Sequence, residues 1–193
     1  MRIGIDIDDT ICKTWKHIKP LFKKYFKVDN RELQKKSYSR ALNVSVDEYY
    51  EFYKKIVTPE MNYIPIKKDA KRYINKLKEK GHEIYFITAR SEKDIINHYE
   101  LTENYLAKNG IKYDKLLTCA SDKGKACLEN KIDLFIDDSI KHCTEVSDIK
   151  IPVLLINTSY NKKVRKFKRV FNFKEIYYII ERSNYGRKNC NRK

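Results

Sequence analysis

The sequence predicts an α/β protein: a doubly wound parallel sheet with a helical cap inserted after the first strand. Five short apolar runs, at residues 2–7, 83–87, 115–117, 134–136 and 152–156, alternate with stretches of helical spacing. That pattern favours buried parallel strands joined by right-handed helical crossovers. Polar segments follow four of the runs, where an open α/β sheet places its ligands, beyond the strands' carboxyl ends. Residues 13–66 break the alternation with aromatic, lysine-rich helical stretches, the mark of an insertion.

The first run passes into Asp6-Ile7-Asp8-Asp9-Thr10. On an extended strand Ile3, Ile5 and Ile7 share one face and Asp6 and Asp8 the other, so two carboxylates point at one spot. In the insertion, Trp15, Ile18, Phe22, Tyr25 and Phe26 form one helical stripe and Tyr49, Phe52, Tyr53 and Ile56 another, with polar breaks near Asn30 and Asn43. Pro59 and Pro65 mark an irregular return. The expected division is a core of residues 1–12 and 67–183, a cap of 13–66 and a loose basic tail of 184–193.

Within the core a helix over 69–80 ends at Gly81, and Ser91 with Asp94 resembles a capping box that opens a helix running to Lys108, with Gly110 beyond it. Shorter helices are expected over 122–130 and 139–146. The last, over 174–182, has Asn172 as N-cap, Glu175 three residues on, and Phe173, Ile176, Tyr177 and Ile180 on one stripe.

A chain of 193 residues supports one core with an appended lobe. No window approaches the roughly 18 apolar residues of a membrane span, and Met1 leads straight into a strand, so the expectation is a cytoplasmic protein without signal peptide or membrane partner. Cys12, Cys119, Cys127, Cys143 and Cys190 lack a C-x-x-C pair and read as reduced thiols, not as a disulfide framework or a zinc site. The net charge of +16 suits phosphate-backbone binding. Its spread along the whole chain is equally that of solvated lysine faces, so nucleic acid is the less favoured partner, and the field also steers small anions. The oligomeric state stays open.

Four polar segments converge at one end of the expected sheet: Asp6, Asp8, Asp9 and Thr10; Thr88, Ala89 and Arg90; Ser121, Asp122 and Lys123; Asp137, Asp138 and Ser139. Asp6, Asp8 and Asp137 or Asp138 offer hard oxygen ligands for Mg²⁺, and a carboxylate can attack phosphorus to give an aspartyl-phosphate. Phosphoryl transfer is the chemistry these residues suit. A phosphorylatable receiver module also uses an acidic pair, a threonine and a lysine, but its acceptor aspartate follows a middle strand. His17, His82, His98 and His142 lack spacing for a triad or metal site and receive no catalytic role. Trp15, Phe22, Tyr38 and Tyr53 could stack on a base, although aromatics at helical spacing more often form core.

These residues resemble the haloacid dehalogenase (HAD) superfamily of phosphotransferases, whose four motifs occur in order: Asp6-Ile7-Asp8-Asp9-Thr10, Phe86-Ile87-Thr88, a lysine opening a helix, and Ile136-Asp137-Asp138. Ile87 to Arg90, Gly110 to Leu116, Ile132 to Ser139, Asn157 to Asn161 and the stretch from Arg169 resemble more closely the 5'(3')-deoxyribonucleotidase family and its bacterial relatives. The resemblance implies a HAD-like Rossmannoid core and a Mg²⁺-dependent phosphomonoester hydrolase acting on a small phosphorylated substrate, a nucleotide. A sugar phosphate, or a nucleic-acid end, is the alternative. It implies Asp6 as nucleophile, Asp8 as acid and base, and Mg²⁺ held by Asp6, the Asp8 backbone carbonyl and Asp137, with Asp138 in support. Thr88 and Lys123 would bind phosphate, Lys125 being the rival of Lys123; Arg90 would either contact phosphate or pair with an acid.

Overall fold

The computed structural model describes residues 1–28, 44–93 and 95–182. Tyr38, the breaks at Asn30 and Asn43, the cap residue Asp94 and the basic tail lie outside the described residues. Six parallel strands, β1 (Arg2–Ile5), β2 (Glu83–Ile87), β3 (Lys115–Leu117), β4 (Leu134–Asp137), β5 (Val153–Ile156) and β6 (Lys168–Val170), form one sheet in the order β3-β2-β1-β4-β5-β6. The order reverses between β1 and β4, so successive crossovers leave a crevice beyond the carboxyl ends of those two strands. Strand β6 was not expected, because Lys168-Arg169-Val170 buries only Val170 and pairs on one side only. An edge strand of that length carries almost no apolar signal.

Side chains alternate across the sheet as the two-residue period requires. Ile3, Ile5, Ile84, Phe86, Leu134 and Ile136 join one apolar cluster, and Ile87 and Phe135 another. The first cluster is closed by α3 (Ala70–Glu79) and α7 (Phe173–Arg182), where Tyr73 and Tyr177 rings meet at 5.6 Å. Cys127 of α5 (Lys123–Glu129) and Val146 of α6 (Ile140–Asp148) close the second. A Cβ on Gly124 would lie 3.0 Å from the Glu145 carbonyl oxygen, so glycine lets α5 lie close to α6 and seats Lys123 beneath the sheet's end.

The insertion contributes α1 (Thr14–Phe26) and α2 (Val46–Phe52), the latter continuing through a π-helical turn (Tyr53–Val57), a short α-turn (Thr58–Glu60) and a 3₁₀ turn (Met61–Tyr63). Its outgoing and returning chains lie side by side: Cys12 and Ile66 form an antiparallel bridge, Lys13 N–H donates to Pro65 O at 2.9 Å, and Lys67 N–H to Ile11 O at 2.8 Å. Phe22 is fully buried, with the Phe26 and Phe52 rings each 4.8 Å away. The packing reading therefore holds for that ring. Helix α4 (His98–Lys108) starts later than its expected opening at Ser91. Ser91 instead anchors a separate turn through Ile95 N–H to its carbonyl at 2.9 Å, and Asn97, in the left-handed region at φ 52°, precedes the helix. No helix among the described residues is long and apolar enough to cross a membrane.

Candidate active site

Strand β1 ends at Ile5, two residues short of expectation. Asp6 still donates its N–H to Ile136 O at 2.9 Å, but the amides of Thr10 and Ile11 both return to the Ile7 carbonyl and Asp9 adopts φ 56°. Ile3, Ile5 and Ile7 nevertheless join one apolar cluster and Asp6 and Asp8 line one cleft, as the alternation predicts, with the left-handed turn at Asp9 coming after both carboxylates. Both carboxylates reach one cleft of about 310 Å³, yet each has its own cation.

The cation of Asp6 is Lys123, whose fully buried Nζ lies 2.6 Å from Asp6 Oδ1 and 3.7 Å from Asp137 Oδ2 and also donates to the Ile87 carbonyl. Asp122 caps α5 by accepting from Lys125 N–H at 2.9 Å, which fixes Lys123 on the first turn facing β1. Lys125 points the other way, exposed beside Glu129. Of the two rival lysines, Lys123 is the one brought to the acids.

Asp8 is gripped by Arg90 through two parallel bonds, Nε to Oδ2 and Nη2 to Oδ1, both 2.8 Å, and by the Thr14 hydroxyl at 2.7 Å. Arg90 is buried, and its remaining terminal nitrogen donates to Thr102 Oγ1 at 3.2 Å. Its planar fork is thus engaged by an acid of the cleft. Thr88 lies at the cleft with its hydroxyl accepting from Arg90 N–H at 3.3 Å.

After β4, Ser139 N–H donates to Asp137 Oδ1 at 2.7 Å and His142 Nδ1 lies 3.2 Å from Oδ2. Asp138 accepts from Thr10 Oγ1 at 3.3 Å and from the Tyr160 hydroxyl, which is also 3.1 Å from Asp9 Oδ2. Asn161 holds the Asp138 carbonyl at 2.9 Å and is itself held by Arg169 at 2.7 Å. Asp9 accepts from Trp15 N–H at 3.0 Å, satisfying a first-turn amide of α1. His142, given no catalytic role from its spacing, thus stands against Asp137, and Tyr160 was not among the candidate residues. Their positions held the clue, since each follows the carboxyl end of a strand, His142 on the first turn of α6 and Tyr160 in the segment after β5. Trp15, Tyr49 and Tyr53 form an aromatic wall on the insertion side of the cleft.

Asp6, Asp137 and Asp138 are buried, and each offers an oxygen within 4.8 Å of the others'. Burial is the main influence on Asp6 and pushes it up to about 6; Lys123 opposes the shift, while Asp137 and Asp8 add to it. Burial and the charges of Asp137 and Asp6 lift Asp138 well above the carboxylate range. Burial also acts upward on Asp137, but Lys123 and His142 outweigh it and hold that carboxyl low. Hard oxygen donors carrying more negative charge than Lys123 neutralises fit a small divalent cation.

A stability effect follows. Because Asp6 has a raised pKa when folded, its contribution is full below the ordinary carboxylate value and lost as pH rises through about 6. A divalent cation held by this cluster would need the ionised form, so added Mg²⁺ is expected to stabilise strongly near about pH 7.5 and weakly near about pH 5. At a hundredfold excess over its dissociation constant the gain at the higher pH is about 2.7 kcal/mol. Thermal melts with and without Mg²⁺ at both pH values check this; equal shifts would contradict it.

A sheet of this order, with its acids divided between the ends of β1 and β4 and a buried lysine between them, defines a HAD-like hydrolase of phosphomonoesters. A HAD-like family hydrolase from Streptococcus pneumoniae superposes with TM-score 0.63 at 12% identity, over 92% of this chain and 97% of that one. A HAD-hydrolase from Bacillus subtilis, described as bound to magnesium, superposes with TM-score 0.65 at 13% identity, over 93% and 97%. Residues 1–185 match the family model described as 5' nucleotidase, deoxy (pyrimidine), cytosolic type C protein. A nucleotidase of Clostridium acetobutylicum is 36% identical over 187 residues, 94% of each chain. The chain belongs to this cytosolic type C 5'-nucleotidase family.

Proposed function

We propose that this enzyme hydrolyses nucleoside monophosphates with Mg²⁺ through an aspartyl-phosphate on Asp6. The observation that carries the reading is Asp6 itself, at the cleft floor within 2.6 Å of the Lys123 ammonium and clustered with Asp137 and Asp138. A carboxylate oxygen of Asp6 bonds to phosphorus as the ester P–O bond breaks, and Asp8 protonates the departing alkoxide. Asp8 then takes a proton from the water that attacks the acyl phosphate, releasing phosphate and restoring Asp6. Lys123 and the Thr88 hydroxyl stabilise negative charge at the phosphoryl group. Asp6, Asp137, Asp138 and the backbone carbonyl of Asp8 would hold Mg²⁺, which when bound offsets the repulsion between carboxylate and phosphate. The magnesium described in the Bacillus subtilis neighbour supports that assignment.

Trp15, Tyr49 and Tyr53, which line the same cleft as the acids, favour a base-bearing substrate. Comparison of nucleoside monophosphates with sugar phosphates and oligonucleotide ends, each with Mg²⁺ and with a chelator, tests the reading. It expects Mg²⁺-dependent preference for the mononucleotides, and equal turnover of all three would oppose it.

Arg90 sets the proton inventory. Burial pushes Asp8 up, but the charge and paired hydrogen bonds of Arg90 outweigh it and hold the carboxyl below its ordinary value. Asp8 is therefore ionised before substrate arrives, and the proton it delivers to the leaving oxygen is one it first takes from the phosphomonoester monoanion. Phosphate monoesters lose that proton near about pH 6, so kcat/KM is expected to fall above it. Arg90→Met lets Asp8 keep its proton to higher pH, moving the falling limb upward while kcat drops by roughly 10²-fold through lost positioning. An unmoved pH profile in the variant would remove Arg90 from this role.

A further inference from the structure

Away from the cleft, His98 sits between a carboxylate and a thiol. Glu92 Oε1 lies 2.8 Å from His98 Nδ1, and Cys119 Sγ lies 3.3 Å from His98 Nε2. The Thr118 hydroxyl is 3.1 Å from the same Nε2 and gives the ring a second neighbour there. Helix α4 carries His98 on its first residue, and Cys119 lies two residues beyond β3, so residues far apart in sequence are brought together. Glu92 orients the ring by accepting from Nδ1–H, which leaves Nε2 as the acceptor facing both the Thr118 hydroxyl and the Cys119 sulfur; the same base-and-orienter geometry activates nucleophiles elsewhere.

Cys119 is exposed, whereas Cys12, Cys127 and Cys143 are buried. Burial also suppresses their ionisation, pushing Cys12 and Cys127 up to about 12 and Cys143 further. Beside Cys119 is a surface hollow of about 330 Å³ lined also by Ser121, Lys125 and Asn130, room for a small thiol carried on the sulfur. The loop bearing Cys119 is tied to the active site. Cys119 N–H donates to Arg90 O at 2.9 Å, Ala120 N–H to Thr88 O at 3.0 Å, and Leu117 O accepts from Thr88 N–H at 2.9 Å.

From this geometry we infer that Cys119 is a thiol-modification site, activated by His98 and Glu92, that exchanges with low-molecular-weight disulfides and couples their capture to the Thr88–Arg90 segment. The thiol proton passes to His98 Nε2, the sulfur attacks one sulfur of the disulfide, and a protein mixed disulfide forms as the incoming S–S bond breaks. The departing thiolate takes the proton from the imidazolium. Cys119 is oxidised and the leaving half of the disulfide is reduced, so electrons and protons balance.

The test treats full-length chains, all carrying Cys190→Ser because that cysteine lies outside the described residues, with glutathione disulfide at neutral pH. Intact mass is followed over time. The expected result is one glutathione per chain, none in Cys119→Ser, and uptake slowed about tenfold in both His98→Gln and His98→Asn. Turnover of phosphomonoester falls on uptake and returns with dithiothreitol, while Cys119→Ser turns over normally and ignores the disulfide. Undiminished uptake in Cys119→Ser, or parent-like rates in both His98 variants, would overturn the site. Full turnover by the glutathionylated chain would overturn its coupling. The mass readout does not depend on phosphatase activity, so the two readings fail separately.

Discussion

Asp6→Asn is expected to lower phosphomonoester turnover by at least about 10⁴-fold while the chain stays folded, because asparagine has the shape of aspartate and none of its nucleophilicity. The loss should appear with every phosphomonoester, since in the proposed mechanism Asp6 meets the phosphorus and not the part of the substrate that differs. The fold should tolerate the change. Asp6 is a buried carboxylate whose ionisation burial opposes, and in the variant Lys123 keeps Asp137 at 3.7 Å and the Ile87 carbonyl. A melting temperature equal to or above that of the parent, with turnover lost, is the combined signature; steady-state assays and thermal melts on the same preparation provide it.

Lys123→Met should be the most destabilising change at the site. Its ammonium is wholly buried and faces Asp6 and Asp137 together, and both acids raise its pKa against the effect of burial. Removing one partner of a buried ionic cluster leaves the other charges uncompensated, at a cost of about 3–5 kcal/mol. The penalty should shrink below about pH 6, where Asp6 takes up a proton. It should also shrink in the double variant Asp6→Asn/Lys123→Met, which removes one of the stranded carboxylates. Urea unfolding of the four chains in this cycle measures the coupling directly, and strict additivity would mean that the two groups do not compensate each other.

Much of the sheet was legible because buried parallel strands appear as unbroken apolar runs. Ile84, Phe86 and Ile87, like Leu134, Phe135 and Ile136, are buried on whichever face they occupy. What escaped was set by distant partners. Alternation put Asp6 and Asp8 at one cleft but could not tell that Lys123 would hold the first and Arg90 the second, since both cations come from distant segments. Arg90 stood between two roles because its partner Asp8 lies 82 residues away and only the fold brings the pair together. Lys123 and Lys125 look alike in a chain with so many lysines, and the Asp122 cap decides which of them faces β1. The aromatic stripes divided in the same way: Phe22 packs inside the insertion, whereas Trp15 and Tyr53 reach the cleft. Tyr160 lies in the Asn157–Asn161 stretch that carries the resemblance, but nothing local links its hydroxyl to Asp138 and Asp9, which only the fold brings to it.

In the proposed mechanism the phosphoryl group passes through Asp6. Rapid acid quench of the enzyme during turnover of a nucleoside monophosphate with Mg²⁺, followed by intact-mass and peptide mapping, tests it most directly. One phosphoryl group per chain is expected, located on the peptide containing Asp6 and absent from Asp6→Asn. A phosphoryl group on another residue, or an Asp6→Asn chain that turns over at the parent rate, would contradict it.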